Sequence, residues 1–245
     1  MIYDSSSIVH RKVIVNAIVR GTTFEKYAYP AFVNFIDFIE KQNGKYVLAF
    51  GTLLGCIRDQ KRILWDDDFD IFMFEKDMKI FNDQADFSFT TDKHMIYKIS
   101  YGNYNYIITQ TPYFFYQVWC VDISNNKILG KSIDIFYQVY YILYNLPYHT
   151  NVTTNILNGR SYNIPSNYND FLCRRYGNNY MNEYVCCNHL IASHYLDKNK
   201  DKYLIITKDE YNSFCELLPG NLVANFTECL DSIPNTLLQM SLDGH

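Results

Sequence analysis

Long hydrophobic runs, an excess of basic charge, a cysteine framework and flexible low-complexity stretches are all missing from this sequence, and each absence removes a class of protein. No apolar run approaches the roughly 20 residues that a membrane-crossing helix needs. The longest candidates, Val13 to Val19 and Val139 to Leu146, fall well short, so no transmembrane segment is expected. Met1 to His10 carries Asp4 and a serine run where a secretory leader has a basic patch and an apolar core, so a reducing, cytoplasmic location is expected. Lys and Arg number 22 against 26 Asp and Glu, a formal net charge of -4 and a pI of about 5.8. That balance excludes a nucleic-acid partner held on a basic surface. Glycine (10) and proline (6) are scarce and no flexible linker or internal repeat is evident, which excludes a disordered or fibrous chain. Seven cysteines, an odd number, fit free thiols. No C-x-x-C pair occurs, and neither the adjacent Cys186 and Cys187 nor His189 and His194 suggest a structural zinc. The sequons at Asn151 and Asn225 are read as coincidental in a chain that is not exported.

What is present is core material: 48% of the 245 residues are hydrophobic and 17% aromatic, enough for one domain with an appended lobe. Phe32, Phe35, Ile36 and Ile39 form the stripe of a surface helix from Glu25 to Gln42, stopped by Asn43-Gly44. Tyr46 to Phe50 reads as a short buried strand, Leu53 to Arg58 as a helix opening from the Gly51-Thr52 turn, and Phe69 to Phe74 as a second buried strand. A short helix to about Ala85 follows. From Met95 to Tyr141 the chain is β-rich, with aromatic and β-branched runs at Tyr104 to Thr109, Tyr113 to Val121 and Ile133 to Tyr141. Beyond Pro165 it reads as helical pieces, the first from Tyr168 to Tyr176 and ended by Gly177.

The densest chemical signal is Trp65-Asp66-Asp67-Asp68-Phe69-Asp70-Ile71. Carboxylates packed this closely repel one another unless a cation lies among them. On a strand, Asp68 and Asp70 share one face while Phe69 and Ile71 pack the other, and Asp66 joins the first face if the strand starts early. Two carboxylates so spaced suit a hard divalent cation such as Mg²⁺, with a third ligand from elsewhere. An EF-hand is excluded because position six from Asp66 is Ile71 and position twelve is Asp77. A DxD glycosyltransferase site is the closer rival. Against it stands Phe50-Gly51-Thr52 at a strand end, where glycine admits close approach of an anion, the following helix N-terminus favours one, and Thr52 can add a hydroxyl. Gly51-Thr52 followed after Leu53 to Asp67 by Asp68-Phe-Asp70 resembles the hG[GS]…Dh[DE]h order of nucleotidyltransferases, with Thr52 at the [GS] position.

Gly51-Thr-Leu-Leu-Gly55-Cys-Ile-Arg58 and Ile63-Leu-Trp65-Asp66-Asp67-Asp68-Phe-Asp70-Ile71 together resemble the signature of the LicD family, which includes phosphocholine transferases and fukutin-type proteins. Ile133-Asp134-Ile135-Phe136 resembles that family's downstream Asp-Ile-Phe strand, and Pro165 to Met181 its Pro…Tyr-Gly…Met element. The resemblance implies an α/β (α+β) nucleotidyltransferase-like fold: one domain over 1–245, with a mixed-sheet catalytic core at about 25–142 and a mainly helical C-terminal lobe at about 160–245. It implies metal-dependent transfer of a phospho-group, phosphocholine or a polyol phosphate, from a CDP-linked donor to a glycan or glycolipid hydroxyl. Asp68, Asp70 and Asp134 would then be the catalytic and metal-holding acids, with Mg²⁺ or Mn²⁺. Asp122 is the rival third ligand, ranked below Asp134 because Phe136 completes the family pattern. Gly51, Thr52 and Arg58 would hold nucleotide phosphate, although Arg58 could equally brace the acids by an ion pair. Lys61 and Arg62 are read as ordinary surface charge. Arg174 and Arg175 suit either a donor phosphate or a helix C-terminus. The tyrosines from Tyr97 to Tyr116 are read as packing residues before an aromatic cage. Leu64, where the family has proline, and Asn178-Asn179, where it often has an acid, depart from the pattern. The second departure keeps an inactive binding protein open beside a nucleotidyl- or glycosyltransferase.

Overall fold

A computed structural model of the chain describes residues 26–66, 68–85, 87–91, 94–111, 115–124, 127–136, 152–186 and 204–217. One compact unit spans Arg20–Tyr180; the described residues from Met181 onward belong to a second.

The first unit opens with helix α1 (26–41), whose apolar stripe is buried as its period requires: Phe32, Phe35, Ile36 and Ile39 are all sealed from solvent. Strand β1 (Tyr46–Leu48) runs through Ala49 into α2 (Phe50–Arg58), then come β2 (Phe69–Met73) and α3 (Lys79–Gln84). Five strands follow: β3 (Phe87–Thr91), β4 (His94–Tyr101), β5 (Tyr104–Gln110), β6 (Phe115–Asp122) and β7 (Lys127–Phe136). They complete a seven-stranded mixed sheet of order β1-β2-β7-β6-β5-β4-β3. The chain returns from the meander so that β7 lies parallel to β2, while every other neighbouring pair is antiparallel. The fold is mixed α and β, as the sequence predicts.

Burial on both faces explains the composition of β2, whose five residues are all buried. Its Phe69 stacks on Phe32 of α1 at 4.2 Å, so α1 covers the face of Phe69 and Ile71. The same helix covers the meander: Phe35 packs on Tyr106 at 4.9 Å, and the Tyr106 hydroxyl donates to Ala31 O or Asn34 Oδ1, which lie 2.9 and 2.7 Å away.

Beyond the sheet, β8 (Val152–Leu157) and β9 (Arg160–Pro165) form a hairpin that the sequence reading missed. Asn158 and Gly159 turn it with φ of 49° and 80°, the left-handed pair such a two-residue turn demands. Its tip is tied to the loop after α2, because Asn158 N donates to Gln60 O and Arg62 N to Asn158 Oδ1. Helix α4 (Tyr168–Tyr176) follows and ends at Gly177 (φ 89°), where the sequence places its end. In the second unit, the short pair β10 (Tyr184–Cys186) and β11 (Leu204–Ile206) precedes α5 (Lys208–Leu217). The sequence reading had not foreseen that pair. Thr207 and Glu210 cap α5 reciprocally.

Cys56, Cys120 and Cys173 form no disulfide, and burial pushes the Cys56 thiol up to about 12. Among the described residues no helix is long and apolar enough to cross a membrane. Val13 to Val19, residues 137–150, Asn151, Cys187, His189, His194 and the Asn225 sequon lie outside the described residues, as does Asp67.

Candidate metal centre

The parallel pairing of β2 with β7 sets Asp70 directly opposite Asp134, and Asp68 stands in the bend immediately before β2. Each of the three can present one carboxylate oxygen so that these oxygens all lie within 4.8 Å of one another, and all three residues are buried. Three hard oxygen donors converging in a region shielded from water match a divalent cation of the Mg²⁺ or Mn²⁺ type, so these residues fit a metal. Asp122, the rival third ligand, is elsewhere: it ends β6 opposite Lys127, and its Oδ1 accepts from Ser124 N at 2.9 Å. Asp66 is buried as well, but β2 starts at Phe69, so Asp66 falls in the preceding loop.

Two hydrogen bonds from distant positions hold Asp70, and the sequence named one of their residues for a different task. The backbone of Asp70 is bonded on both sides by the β1-to-α2 turn: its N–H donates to Thr52 Oγ1 at 2.8 Å, and its carbonyl accepts from Ala49 N at 2.9 Å. Thr52 is fully buried, so the structure places its hydroxyl on the strand that carries the acids. Gly51 is needed for a neighbour of its own chain, because a Cβ there would stand 2.6 Å from Asp66 Oδ2. Gly55 repeats the argument one turn on, where a Cβ would meet Lys61 O at 2.5 Å. The two glycines thus let the acidic loop lie against α2. No side chain caps α2 at Ala49, and the Asp66 carboxylate beside its first turn suits the helix dipole.

The reading of Arg62 as surface charge is corrected: among the described residues it is the largest fully buried side chain, 2% exposed. Its guanidinium donates to the carbonyls of Ile63, Leu64 and Asp66, binding the loop from inside. Composition gives no sign of this, since the partners are backbone atoms. Lys61 is exposed, as expected. Arg58 sits at the C-terminal end of α2, a helix length from Gly51, and its Nε donates to Asp59 at 2.9 Å. The structure therefore does not bring Arg58 to the first turn of α2. Tyr97 and Tyr106 are buried in the core cluster, with Tyr101 and Tyr104 packed against it, in keeping with the packing reading. Asn178 and Asn179 are exposed.

The face that carries the acids continues into aromatic packing. Two residues past Asp70 and Asp134, Phe72 and Phe136 point the same way, and Phe50 lies against them at 5.3 and 4.7 Å. Phe171 of α4 closes on Phe50 and Phe72 at 5.5 and 5.8 Å. The start of α2 and one stripe of α4 thus cover the same side of the sheet as the carboxylates.

The comparison with known families agrees with this geometry. Residues 43–167, just over half of the chain, match the LicD/FKTN/FKRP nucleotidyltransferase domain. The chain belongs to the LicD family. The matched span includes Gly51-Thr52, the acidic loop, β2, the meander and Asp134 of β7. No curated protein matches the chain significantly. Membership supports transferase activity of the phosphotransfer or nucleotidyltransfer kind.

Proposed function

We propose that this LicD-family protein transfers a substituted phosphate, phosphocholine or a polyol phosphate, from a CDP-activated donor to a glycan or glycolipid hydroxyl, with Mg²⁺ or Mn²⁺ held by Asp68, Asp70 and Asp134. The observation that carries the reading is the burial of three carboxylates whose oxygens lie within 4.8 Å of one another, Asp70 and Asp134 on the only parallel strand pair among the described residues and Asp68 just before it. A bound divalent cation would supply electrostatic stabilisation for the charge that a diphosphate carries into the transition state. The chain's own part is to fix geometry. Thr52 and Ala49 lock the backbone of Asp70, the β2–β7 register fixes Asp134 opposite it, and Arg62 holds the acidic loop. In the reaction the acceptor oxygen bonds to the phosphorus of the head group, the bond from that phosphorus to the oxygen shared with CMP breaks, and CMP departs. In this reading Asp70 or Asp134 takes the acceptor hydroxyl's proton.

Calorimetry with a panel of CDP-linked donors tests this, with and without Mg²⁺ or Mn²⁺, on the wild type and on Asp68→Asn/Asp70→Asn. Metal-dependent binding of one donor, lost in the double variant, is the expected result. A folded protein that binds no cytidine compound overturns it.

A further inference from the structure

Helix α4 ends in consecutive arginines whose surroundings differ. Arg174 is exposed, and its Nε donates to Asp170 one turn back, at 3.1 Å. Arg175 follows Phe171 by four residues and so lies on the stripe that packs inward. Its guanidinium is carried over the ring of Phe50, 5.7 Å from the centroid, with the Tyr176 ring at an equal distance. Arg175 Nε is buried and meets no acceptor among the described residues, nor does Arg175 form an ion pair there. A buried guanidinium N–H without an acceptor is costly, and an anion arriving there would relieve it. Phe50, the ring beneath it, is the first residue of α2 and has φ of 38°, a left-handed conformation that a bulky side chain adopts only under constraint. Phe50 packs in turn on Phe72 and Phe136, each two residues beyond an acid of the cluster.

Charge gives the same answer. Three carboxylates with one divalent cation leave a net negative centre, and a diphosphate adds more negative charge. Further positive charge is therefore needed on that side of the sheet. Arg62 is engaged with loop carbonyls and Arg58 with Asp59. Arg175 has no such commitment among the described residues. We propose that Arg175 is a diphosphate-binding residue, whose guanidinium forks onto phosphate oxygens of the donor beside the first turn of α2. The assignment rests on the donor reading above and adds to it a residue outside the matched span.

The test is calorimetry of the full chain with Mn²⁺ present, using CDP and inorganic pyrophosphate as probes, on the wild type, Arg175→Ala, Arg175→Lys and Arg174→Ala. Arg175→Ala should weaken both probes by about tenfold to a hundredfold, as loss of a charge-assisted pair does. Arg175→Lys keeps the charge and loses the fork, so it should fall between, and Arg174→Ala should match the wild type. Arg175→Lys also carries the test if thermal unfolding shows that the alanine variant does not fold. Wild-type binding of CDP that neither Arg175 variant weakens would overturn this assignment and leave the donor reading standing. Failure of the wild type to bind either probe would overturn the donor reading and the assignment with it.

Discussion

Two parts of one sheet treat buried polar atoms in opposite ways. In the meander β4–β6, inward positions are apolar or aromatic: Tyr97, Ile99, Tyr106, Ile108, Val118 and Cys120 are buried, and the deepest hydroxyl, on Tyr106, has two acceptors on α1. In the parallel pair β2–β7, one face is equally apolar through Phe69, Ile71, Ile133 and Ile135, yet the other gathers three like charges out of water. Burial of like charges opposes folding, so stability alone does not select it. Local conflict of this kind is what marks the parallel pair, and not the meander, as the candidate site.

The strongest way to break that contrast is to neutralise one acid. Asp68→Asn or Asp70→Asn should lower transfer by at least about a hundredfold to a thousandfold, the scale of losing a major electrostatic element of a site. In metal-free buffer the same variants should unfold no sooner than the wild type, because a repulsion has been removed. The stabilisation that Mn²⁺ gives the wild type should vanish from them. Transfer undiminished in Asp68→Asn would refute the metal site.

Thr52→Val joins the two sides of the comparison, since a buried packing residue there serves the acid. It strips the acceptor from Asp70 N–H and should destabilise by about 1–3 kcal/mol, the cost of an unsatisfied buried donor. Transfer should fall as well, with donor affinity changed less than turnover. Full activity would show that the backbone of Asp70 needs no such anchor.

How much of this was legible in advance follows the same division. Period and local pattern sufficed for α1, for β2, for α4 with its Gly177 stop and for the Asp68-x-Asp70 spacing, because each is a property of neighbouring residues. Asp134 required the family resemblance, since nothing local distinguishes Val121-Asp122-Ile123 from Ile133-Asp134-Ile135; the parallel register does. Long-range pairing hid the rest. Thr52 reaches Asp70 across 18 positions, and Arg62 looks like surface charge until the loop wraps around it. The β8–β9 hairpin was a missed local signal, for Asn158-Gly159 between alternating residues is a strong turn mark.

On the meander side, Tyr106→Phe removes one hydroxyl and its contacts with α1, and should cost about 0.5–1.5 kcal/mol in urea denaturation. Transfer by the folded variant should be unchanged. A loss of activity as large as that of an acid variant would erase the distinction between the two regions.

The smallest expected effect discriminates most finely. Asp122 and Asp134 occur in near-identical local sequence on neighbouring strands, so a variant pair isolates position from chemistry. Asp122 is partly exposed at the end of β6, where its carboxylate receives the N–H of Ser124. Asp122→Asn keeps an oxygen for that bond and should shift stability by less than about 0.5 kcal/mol, as surface substitutions do. Transfer should be unaffected, while Asp134→Asn should behave like Asp70→Asn. If Asp122→Asn abolished transfer and Asp134→Asn did not, the register opposite Asp70 would not define the centre, and the third ligand would have to come from the end of β6.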